Sequence, residues 1–350
     1  MGGAQYQVKC IIEQLSNTPA YEIEYFAHAI APDYVPSSYK IRPIPGKTSR
    51  LGRAAHSVNL YKLLSAFKPD LIYQRVACAY SGVAALYAKR NGAKMIWHVA
   101  HDGDVSPIKI TYGRNPIRQY LEAASVRYAI RNAHAIVTQT NHQATLLAKH
   151  YGRIADAIMP NFHPLPNENC DKSGTTKVVW IANFKRWKNP EAFIALSESF
   201  RNWDNVEFIM AGGAPKGSAE KAWFEALQRR IDDNDNLSYI GQKSQEEINE
   251  LLASSHIFVN TSYQEGFANT FIQAWLRHVP VLSLYVNPDA ILDTEEIGFC
   301  AGSESNCANL LEQLLRDQNL RERIGQKAAK YARETHSFNN VNILRRLFDT

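Results

Sequence analysis

The feature that most constrains the fold is a regular alternation of short apolar runs with longer amphipathic stretches. The apolar runs are 70–76, 94–100, 133–140, 177–183, 206–213 and 256–262, and the amphipathic stretches are 114–132, 190–200, 219–232 and 244–254. Nearly continuous apolar runs are typical of parallel strands buried on both faces, and the crossovers between such strands are usually helices. The pattern therefore predicts an α/β protein whose parallel sheets are covered by helices on both faces.

The chain length and one polar segment indicate two domains. A chain of 350 residues is long enough for two cores of ordinary size. The stretch MPNFHPLPNENCDKSGTT, residues 159–176, carries three prolines and many polar residues before a new apolar run begins. Interdomain linkers have this composition. We expect a first domain over 1–162, a linker over 163–176, a second domain over 177–335 and a terminal helix over 336–350.

Composition argues against a membrane-spanning or secreted protein. Apolar residues make up 45% and charged residues 21% of the chain, which is typical of globular proteins. No run of about 18 uncharged apolar residues occurs, and the N-terminus lacks the layout of a signal peptide. The five cysteines are odd in number and form no CxxC pair, which suits a reducing compartment. These observations predict a cytoplasmic protein.

One segment carries most of the uneven charge. The net charge is +5, and no acidic residue lies between Asp33 and Asp70. The basic residues in that interval are Lys40, Arg42, Lys47, Arg50, Arg53, Lys62 and Lys68. Two interpretations of residues 40–68 stay open: a solvated loop and helix face, or a surface that contacts an anionic membrane or a phosphate-bearing acceptor. Nucleic acid is not expected, because the segment has no recognition motif.

Three loops follow predicted strands of the second half, which is where open parallel sheets bind ligands. In IANFKRWKNPEAF, Asn183 and Lys188 belong to a polar, cationic loop that suits an anion. The loop AGGAPKGSAE is either a flexible turn or a place where backbone approaches a ligand. In SYQEGFANTF, Gly266 permits close approach, and the amides of residues 268–270 would hold phosphate at a helix start.

Polar residues also follow a predicted strand of the first half. The stretch WHVAHDGD places His98, His101, Asp102 and Asp104 at the carboxyl end of that strand. Its paired carboxylates, or those of residues 233–235, could hold a divalent cation, but a zinc site would need more ligands at fixed spacing. Acid, base or hydrogen-bonding roles toward a substrate fit better, and packed, satisfied histidines are the alternative. No GxGxxG motif occurs, which argues against a nicotinamide or flavin enzyme.

Residues 177–285 resemble the donor domain of the retaining, GT-B type glycosyltransferases of family 4. The stretch WIANFKRWKNPEAFIAL resembles the family segment vGRLxxxKGxxxLixA, so Lys188 matches the lysine that holds the donor diphosphate, while Asn183 replaces the arginine that usually assists it. The stretch YIGQKSQEEINELLASSHIFVNTSYQEGFANTFIQAW resembles flGxvsxeelxxllxxadvfvxPSxxEGFGxxxxEA. Glu265 matches the first acid of the family's E-x7-E signature, and Gln273 stands at the second.

The resemblance implies roles for these residues. Lys188, Asn183 and the backbone amides of the helix start would stabilise the leaving diphosphate, Glu265 would orient sugar hydroxyls, and Gln273 would hydrogen-bond the ribose. The donor-binding residues that the resemblance implies are Asn183, Lys188, Gly213, Ile240, Gly266, Phe267, Ala268, Asn269, Thr270 and Gln273. The implied catalytic residues are His101, Glu265 and Lys188.

The first domain resembles the family's acceptor domain. The stretch GGAQYQVKCIIEQLS resembles its glycine-rich loop and first helix, so Gly2 and Gly3, with His98 and Asp104, would form the acceptor or phosphate loop. The family keeps an active-site histidine near IWHVAHDGD, which we assign to His101 with His98 as the alternative. A strand precedes the glycine loop in the family. We expect that strand upstream of Met1, and the alternative is that the chain begins there and another strand closes the sheet.

The resemblance implies a GT-B fold with two Rossmann-like, doubly wound parallel-sheet domains facing across a cleft, and THSFNNVNILRRLF resembles the terminal helix that returns to the first domain. The implied activity is retaining transfer of a hexose from a nucleotide-diphosphate sugar to an alcohol of a glycan or lipid-linked glycan, as in surface polysaccharide synthesis. No metal or other cofactor is expected. The alternatives are a GT-B sugar-nucleotide epimerase or phosphorylase, and a non-catalytic nucleotide-sugar-binding protein.

Overall fold

The computed structural model describes residues 2–28, 30, 36, 38–46, 50–107, 116–167, 170–215 and 217–350, without the side chains of residues 50–55. The chain divides into two compact units. The first unit comprises Met1–Phe162 and Phe338–Thr350, and the second comprises His163–Ser337.

Helices and strands alternate through both units. The helices are α1 (Gly3–Ser16), α2 (Arg50–Phe67), α3 (Ala79–Asn91), α4 (Pro116–Asn132), α5 (Asn141–Tyr151), α6 (Pro190–Ser199), α7 (Ser218–Asp232), α8 (Gln245–Ala253), α9 (Asn269–Leu276), α10 (Ile291–Thr294), α11 (Glu304–Arg316), α12 (Gln318–Thr335) and α13 (Val341–Asp349). The strands are β1 (Glu24–Ala27), β2 (Lys40–Pro43), β3 (Leu71–Arg75), β4 (Lys94–His98), β5 (Ala135–Thr138), β6 (Ala157–Ile158), β7 (Thr176–Ile181), β8 (Val206–Ala211), β9 (Leu237–Tyr239), β10 (Ile257–Asn260), β11 (Val281–Ser283) and β12 (Gly298–Cys300). Short 3₁₀ turns lie at Asp102–Val105, Arg186–Lys188, Pro288–Ala290 and Phe338–Asn340.

The first unit has a four-stranded sheet and a separate strand pair. The sheet order is β3-β4-β5-β6, and β1 pairs with β2; all of these pairs are parallel. Successive side chains of β4 enter different cores, because Trp97 packs with α3 and α4 whereas Ile96 packs with α1 and α13. Helix α13 therefore completes the core of the first unit. Its Arg345 Nη2 donates to the Gln14 carbonyl oxygen of α1 at 3.2 Å.

The second unit is built on one six-stranded parallel sheet of order β12-β11-β10-β7-β8-β9. Its central strand β7 alternates between two cores. Val178 and Trp180 pack in a core with residues of α6, α7 and α11, and Val179 packs in a core with residues of α8, α9 and α12. Helices on both faces leave the strand ends as the places where polar loops emerge.

The predicted α/β fold class is confirmed, and the apolar runs form parallel strands covered by helices, as predicted. Each of the six apolar runs coincides with a strand, and each amphipathic stretch coincides with a helix, to within a residue or two at their ends. The sequence pattern did not reveal β1, β2, β6, β9, β11 or β12, which are short; β2 is largely exposed and therefore carries little apolar signal. The strand expected before α1 stays a prediction. Across the described ranges, none of the helices combines the length and apolar character that crossing a membrane requires.

Candidate functional site

The loops after β7 and β8 meet at Asn183. Its side-chain oxygen accepts a hydrogen bond from the Gly213 amide at 3.0 Å, and the Phe184 amide donates to the Gly213 carbonyl at 2.9 Å. A side chain at Gly212 would place its Cβ 1.7 Å from the Ala182 carbonyl oxygen, so only glycine fits there. Close packing of backbone, rather than flexibility, explains that glycine. Asn183 is exposed, so its side chain lies at the surface of this edge.

Ile240 lies just past the neighbouring strand, β9, and is 37% exposed. Its amide donates to the Met210 carbonyl at 3.0 Å, and the Gly212 amide donates to the Gly241 carbonyl at 2.9 Å. The sheet ladder therefore continues into the loops that follow β8 and β9. An exposed apolar side chain held this way is suited to contact a flat ligand group such as a base.

Lys188 ends a 3₁₀ turn whose backbone carbonyls are held by the buried hydroxyl of Thr261. The Thr261 Oγ1 lies 2.8 Å from the Lys188 carbonyl oxygen and 2.7 Å from the Asn189 carbonyl oxygen. The same hydroxyl accepts a hydrogen bond from the buried Trp180 indole at 2.9 Å. Asn189 has φ of 49°, which ends the turn, and Pro190 then begins α6 at the position where proline is favoured. This arrangement holds the lysine in a defined place.

The ammonium of Lys188 forms an ion pair with Glu265, and the Ser262 hydroxyl donates to the same carboxylate oxygen at 2.8 Å. The side chains are only 20% and 13% exposed, so solvent screens this pair less than a surface pair. Sequence reasoning gave the two residues separate roles and missed their contact, because they lie 77 positions apart. No spacing rule along one chain relates residues on different strand-end loops.

The start of α9 presents backbone amides beside this pair. Ala268 is its N-cap, has extended backbone and makes no side-chain cap, so the first turn is not closed by a cap from that residue. Gly266 is buried, and the Phe267 ring packs against Trp275 at a centroid distance of 6.2 Å. The start of α9 is thus supported by packed aromatic side chains. The N-terminus of a helix carries a partial positive charge and favours an anion.

Gln273 lies one turn into α9 and is 2% exposed. Its Nε2 donates to the Asn249 side-chain oxygen at 2.8 Å and to the Gln245 side-chain oxygen at 3.2 Å. Both N–H donors are therefore engaged by α8. Oε1 is the atom left for a ribose hydroxyl, so the predicted role in ribose binding stays a prediction in that narrower form.

The two histidines of the first unit have opposite environments. His98 ends β4 and is fully buried, whereas His101 is exposed after the strand. Asp104 is buried, and its carboxylate accepts hydrogen bonds from the amides of Ala77 at 3.1 Å, Ala100 at 2.8 Å and His101 at 3.0 Å. Asp104 therefore joins the loops after β3 and β4. The predicted substrate roles of these residues stay predictions.

The glycine start and the basic segment are only partly described. Gly2 caps α1 without a side-chain hydrogen bond, and both Gly2 and Gly3 are exposed. In the basic segment, Arg42 forms an ion pair with Glu24, Lys40 lies 3.5 Å from Glu22, and Lys62 and Lys68 are exposed. The predictions for Lys47, Arg50 and Arg53 fall outside the described residues and side chains. Within the described part of the chain, no group of three or more histidine, cysteine or acidic side chains is placed to bind a metal ion.

Two units built on helix-covered parallel sheets, one of four strands and one of six, place the protein in the GT-B fold class. HepE of Anabaena, whose crystal structure holds UDP and glucose, has this fold: it is 17% identical to this chain, with a TM-score of 0.78, and the match covers 100% of this chain and 96% of HepE. The models Glycosyl transferases group 1 and Glycosyltransferase Family 4 match residues 165–331 and 1–162. The chain belongs to glycosyltransferase family 4, which confirms the resemblance.

Curated relatives match parts of the chain. Glycosyltransferase 1 domain-containing protein 1 of Xenopus tropicalis is 23% identical over 161 residues, which are 46% of this chain and 46% of the relative. D-inositol 3-phosphate glycosyltransferase of Corynebacterium diphtheriae is 24% identical over 225 residues, which are 58% of this chain and 53% of the relative. The chain thus spans about half the length of the curated relatives it matches.

Proposed function

We propose that this chain is a retaining glycosyltransferase that moves a hexose from a nucleotide-diphosphate sugar to a hydroxyl of a glycan or lipid-linked glycan. The observation that carries the proposal is the partly buried Lys188–Glu265 pair beside the start of α9. A lysine, a helix start and a carboxylate at one strand edge supply the charges that a sugar diphosphate needs. The cation and amides suit the diphosphate, and the carboxylate suits the sugar hydroxyls.

The chemistry follows from where charge develops. The bond from the anomeric carbon to the diphosphate oxygen breaks as the acceptor oxygen bonds to the same carbon on the same face. Negative charge grows on the departing diphosphate, so Lys188 and the α9 amides stabilise the transition state more than the ground state. A diphosphate oxygen takes the proton that the acceptor hydroxyl loses. Asn183 and Ile240 would contact the nucleotide part, and His101 would act at the sugar.

The first experiment identifies the donor. UDP-, GDP- and ADP-sugars are screened by thermal shift, beginning with UDP-glucose because HepE has been solved with that molecule. A ligand at 100 times its dissociation constant stabilises a protein by about 2.7 kcal/mol, which a melting curve detects. Lys188→Ala is the test variant, and Lys185→Ala is the matched control because Lys185 lies in the same loop and is exposed. We expect stabilisation in the control and its loss in Lys188→Ala.

The second experiment separates the proposed reaction from its alternatives. Release of nucleotide diphosphate is measured with and without candidate acceptors, and the product's anomeric configuration is read by NMR. Acceptor-dependent release with retained configuration supports the proposal. Donor binding without any turnover would indicate a binding protein, and conversion of the donor without an acceptor would indicate an epimerase. An inverted product would contradict the retaining mechanism.

We further propose that the reaction needs no metal ion. Lys188 and the backbone amides would neutralise the diphosphate in place of a cation. Activity should therefore be unchanged after dialysis against EDTA. Complete loss in EDTA with recovery in magnesium or manganese would show that a metal takes part, and would direct attention to Asp102, whose carboxylate accepts from Gln143 at 3.1 Å.

A further inference from the structure

Strands β3 and β4 end with two buried polar side chains that the donor chemistry does not use. Arg75 and His98 are register partners in the parallel pair. Arg75 is 8% exposed and His98 is fully buried. Tyr73, two residues before Arg75 and thus on the same face of β3, is partly buried in the core beneath α1 and α13. These three side chains form a compact group, here called the β3–β4 edge cluster.

The proton positions in this cluster follow from burial. Burial lowers the pKa of His98 well below its usual value, with Arg75 adding to the effect, so the imidazole is neutral. Burial raises the pKa of Tyr73 to about 12, so the phenol keeps its proton. The Tyr73 hydroxyl lies 2.6 Å from His98 Nδ1. We assign the hydroxyl as the donor, because the Arg75 guanidinium donates to the phenol oxygen and leaves the phenol proton for His98. His98 Nε2 therefore carries the ring proton.

That Nε2–H has no acceptor among the described residues and is buried. Arg75 likewise has buried donors that lack an acceptor among the described residues. Its Nη2 donates to the Asn161 side-chain oxygen at 2.6 Å, but its buried Nε and Nη1 have no hydrogen-bond acceptor in the described part of the chain. The Asp104 carboxylate nearby does not serve them, because three backbone amides occupy it. A guanidinium cannot lose its proton to relieve this.

The cluster is thus made of donors. Nε and Nη1 of Arg75 and Nε2 of His98 all offer hydrogens, and one group carries a full positive charge. Among the described residues no carboxylate forms an ion pair with Arg75, and Asp104 attracts the guanidinium only from a longer distance. Buried polar groups without partners are rare in folded proteins and costly, and a buried unpaired charge costs more. Water could accept hydrogen bonds here but would not give the guanidinium an ion-pair partner. A ligand with several negatively charged oxygens would supply both the missing hydrogen-bond acceptors and an ion-pair partner for Arg75.

We infer that Arg75 and His98 form a binding site for an oxyanion, the phosphate or carboxylate group of a ligand, at the carboxyl edge of β3 and β4. Among the described residues β3 pairs only with β4, and Tyr73 is partly exposed, whereas Arg75 and His98 are buried. Arginine is the residue best suited to bind two oxygens of such a group. The inference does not require the glycosyl transfer proposed above, because it concerns binding in the first unit alone.

The test uses the intact chain and inorganic phosphate as the probe. Melting temperature is measured against phosphate concentration, with sodium chloride at equal ionic strength as the reference and acetate as the carboxylate probe. Because phosphate can also reach Lys188, the series is run in a Lys188→Ala background. We expect phosphate, acetate or both to stabilise this protein, and the larger response identifies the group that the site prefers.

The decisive variant is Arg75→Gln, with Arg90→Gln as the matched control because Arg90 is an exposed cation at the end of α3. Arg75→Gln should raise the apparent dissociation constant of the anion at least about tenfold, Arg75→Lys should raise it less, and the control should leave it unchanged. The urea midpoint of Arg75→Gln without anion should equal or exceed that of its parent, because a buried unpaired charge is removed.

Three results would overturn the inference: no response to either anion, an equal response with and without Arg75, or a large loss of stability in Arg75→Gln. The last would mean that the arginine is satisfied within the fold. Binding of UDP-glucose to the Arg75→Gln variant with Lys188 intact keeps the two proposals separate. If that donor binds normally while the anion response is absent, only the oxyanion site is removed.

Discussion

Lys188 in the second unit and Arg75 in the first are both cations at the carboxyl edge of a parallel sheet, yet their surroundings differ. Lys188 is paired with the carboxylate of Glu265, which lies on another strand-end loop of the same unit. Arg75 donates to the side-chain oxygen of Asn161 and interacts with the Tyr73 phenol, and among the described residues it has no ion-pair partner. The nearby carboxylate, Asp104, is used to hold backbone loops together.

The two cations differ in which internal interactions an anionic ligand must displace when it binds. A phosphate that binds Lys188 has to share or displace Glu265, so part of its attraction to the lysine is offset by the lost ion pair. An anion that binds Arg75 displaces no internal carboxylate and removes an existing deficit. We therefore expect Lys188 to act mainly through the change in charge during reaction, and Arg75 to act mainly through binding.

The largest expected effect is that of Lys188→Ala on turnover. Loss of one group that stabilises charge in the transition state typically lowers kcat by about 10² to 10³. Steady-state kinetics with the donor found by thermal shift would measure it, with Lys185→Ala alongside. Turnover equal to that of the parent would show that Lys188 is not part of the site. The proposed contrast between Lys188 and Arg75 would then be wrong.

The second effect is that of Glu265→Gln. The amide oxygen of glutamine can still accept from Ser262, but the charge that holds the Lys188 ammonium is gone. We expect kcat to fall by about 10², because groups at the reacting end must be placed accurately. Donor affinity should stay equal or increase, since the lysine is released toward the diphosphate. Kinetics and calorimetry on the same preparation separate the two quantities, and a variant that binds poorly yet turns over normally would contradict the assignment.

The third effect concerns pH and compares buried histidines, since His163 in the second unit has a neighbouring arginine, as His98 does. Burial lowers the pKa of His163 to about 3, and Arg277 adds to the shift. The unfolded chain binds this proton near pH 6.5 and the folded chain only near pH 3, so stability falls as pH drops between those values. From pH 7 to pH 5 the loss amounts to about 2 kcal/mol.

Urea unfolding at both pH values would measure this loss. His163→Gln should lose less stability on acidification than the parent, by about that amount. His134→Gln is the matched control, because His134 is exposed. Identical pH dependence in the parent and in His163→Gln would mean that the His163 imidazole is not held neutral by the fold.

The fold was predictable because apolar runs report buried parallel strands. Strands such as β2, which are short and exposed, carry no such signal. Lys188 and Glu265 could be singled out because they lie in motifs whose order and spacing are readable, and their roles toward a donor stay predictions. Their ion pair was not predictable, since it depends on which loops the sheet order brings together.

Arg75 shows the same limit more clearly. In DLIYQRV it follows Gln74 at the end of an apolar run, and nothing in the sequence shows that its guanidinium is buried. Its significance comes from burial and from hydrogen bonds that are missing among the described residues. Partners made across a sheet and partners left unmade are properties of packing, and a pattern along one chain does not contain them.

The smallest expected effect is that of Gln273→Glu on donor affinity. In the structure both donors of Gln273 go to side-chain oxygens of Asn249 and Gln245. Those two groups are amides, so each can rotate its NH₂ toward a carboxylate, and the glutamate would then be satisfied without moving α8. A carboxylate would accept stronger bonds from a ribose diol but would add negative charge near the diphosphate, and these two contributions oppose each other. We therefore expect a change of less than about tenfold, or 1.4 kcal/mol, in the donor dissociation constant. If Gln273 binds the ribose, Gln273→Ala removes that acceptor and should weaken binding more than it lowers kcat. Normal binding by Gln273→Ala would show that this residue serves only to join α9 to α8.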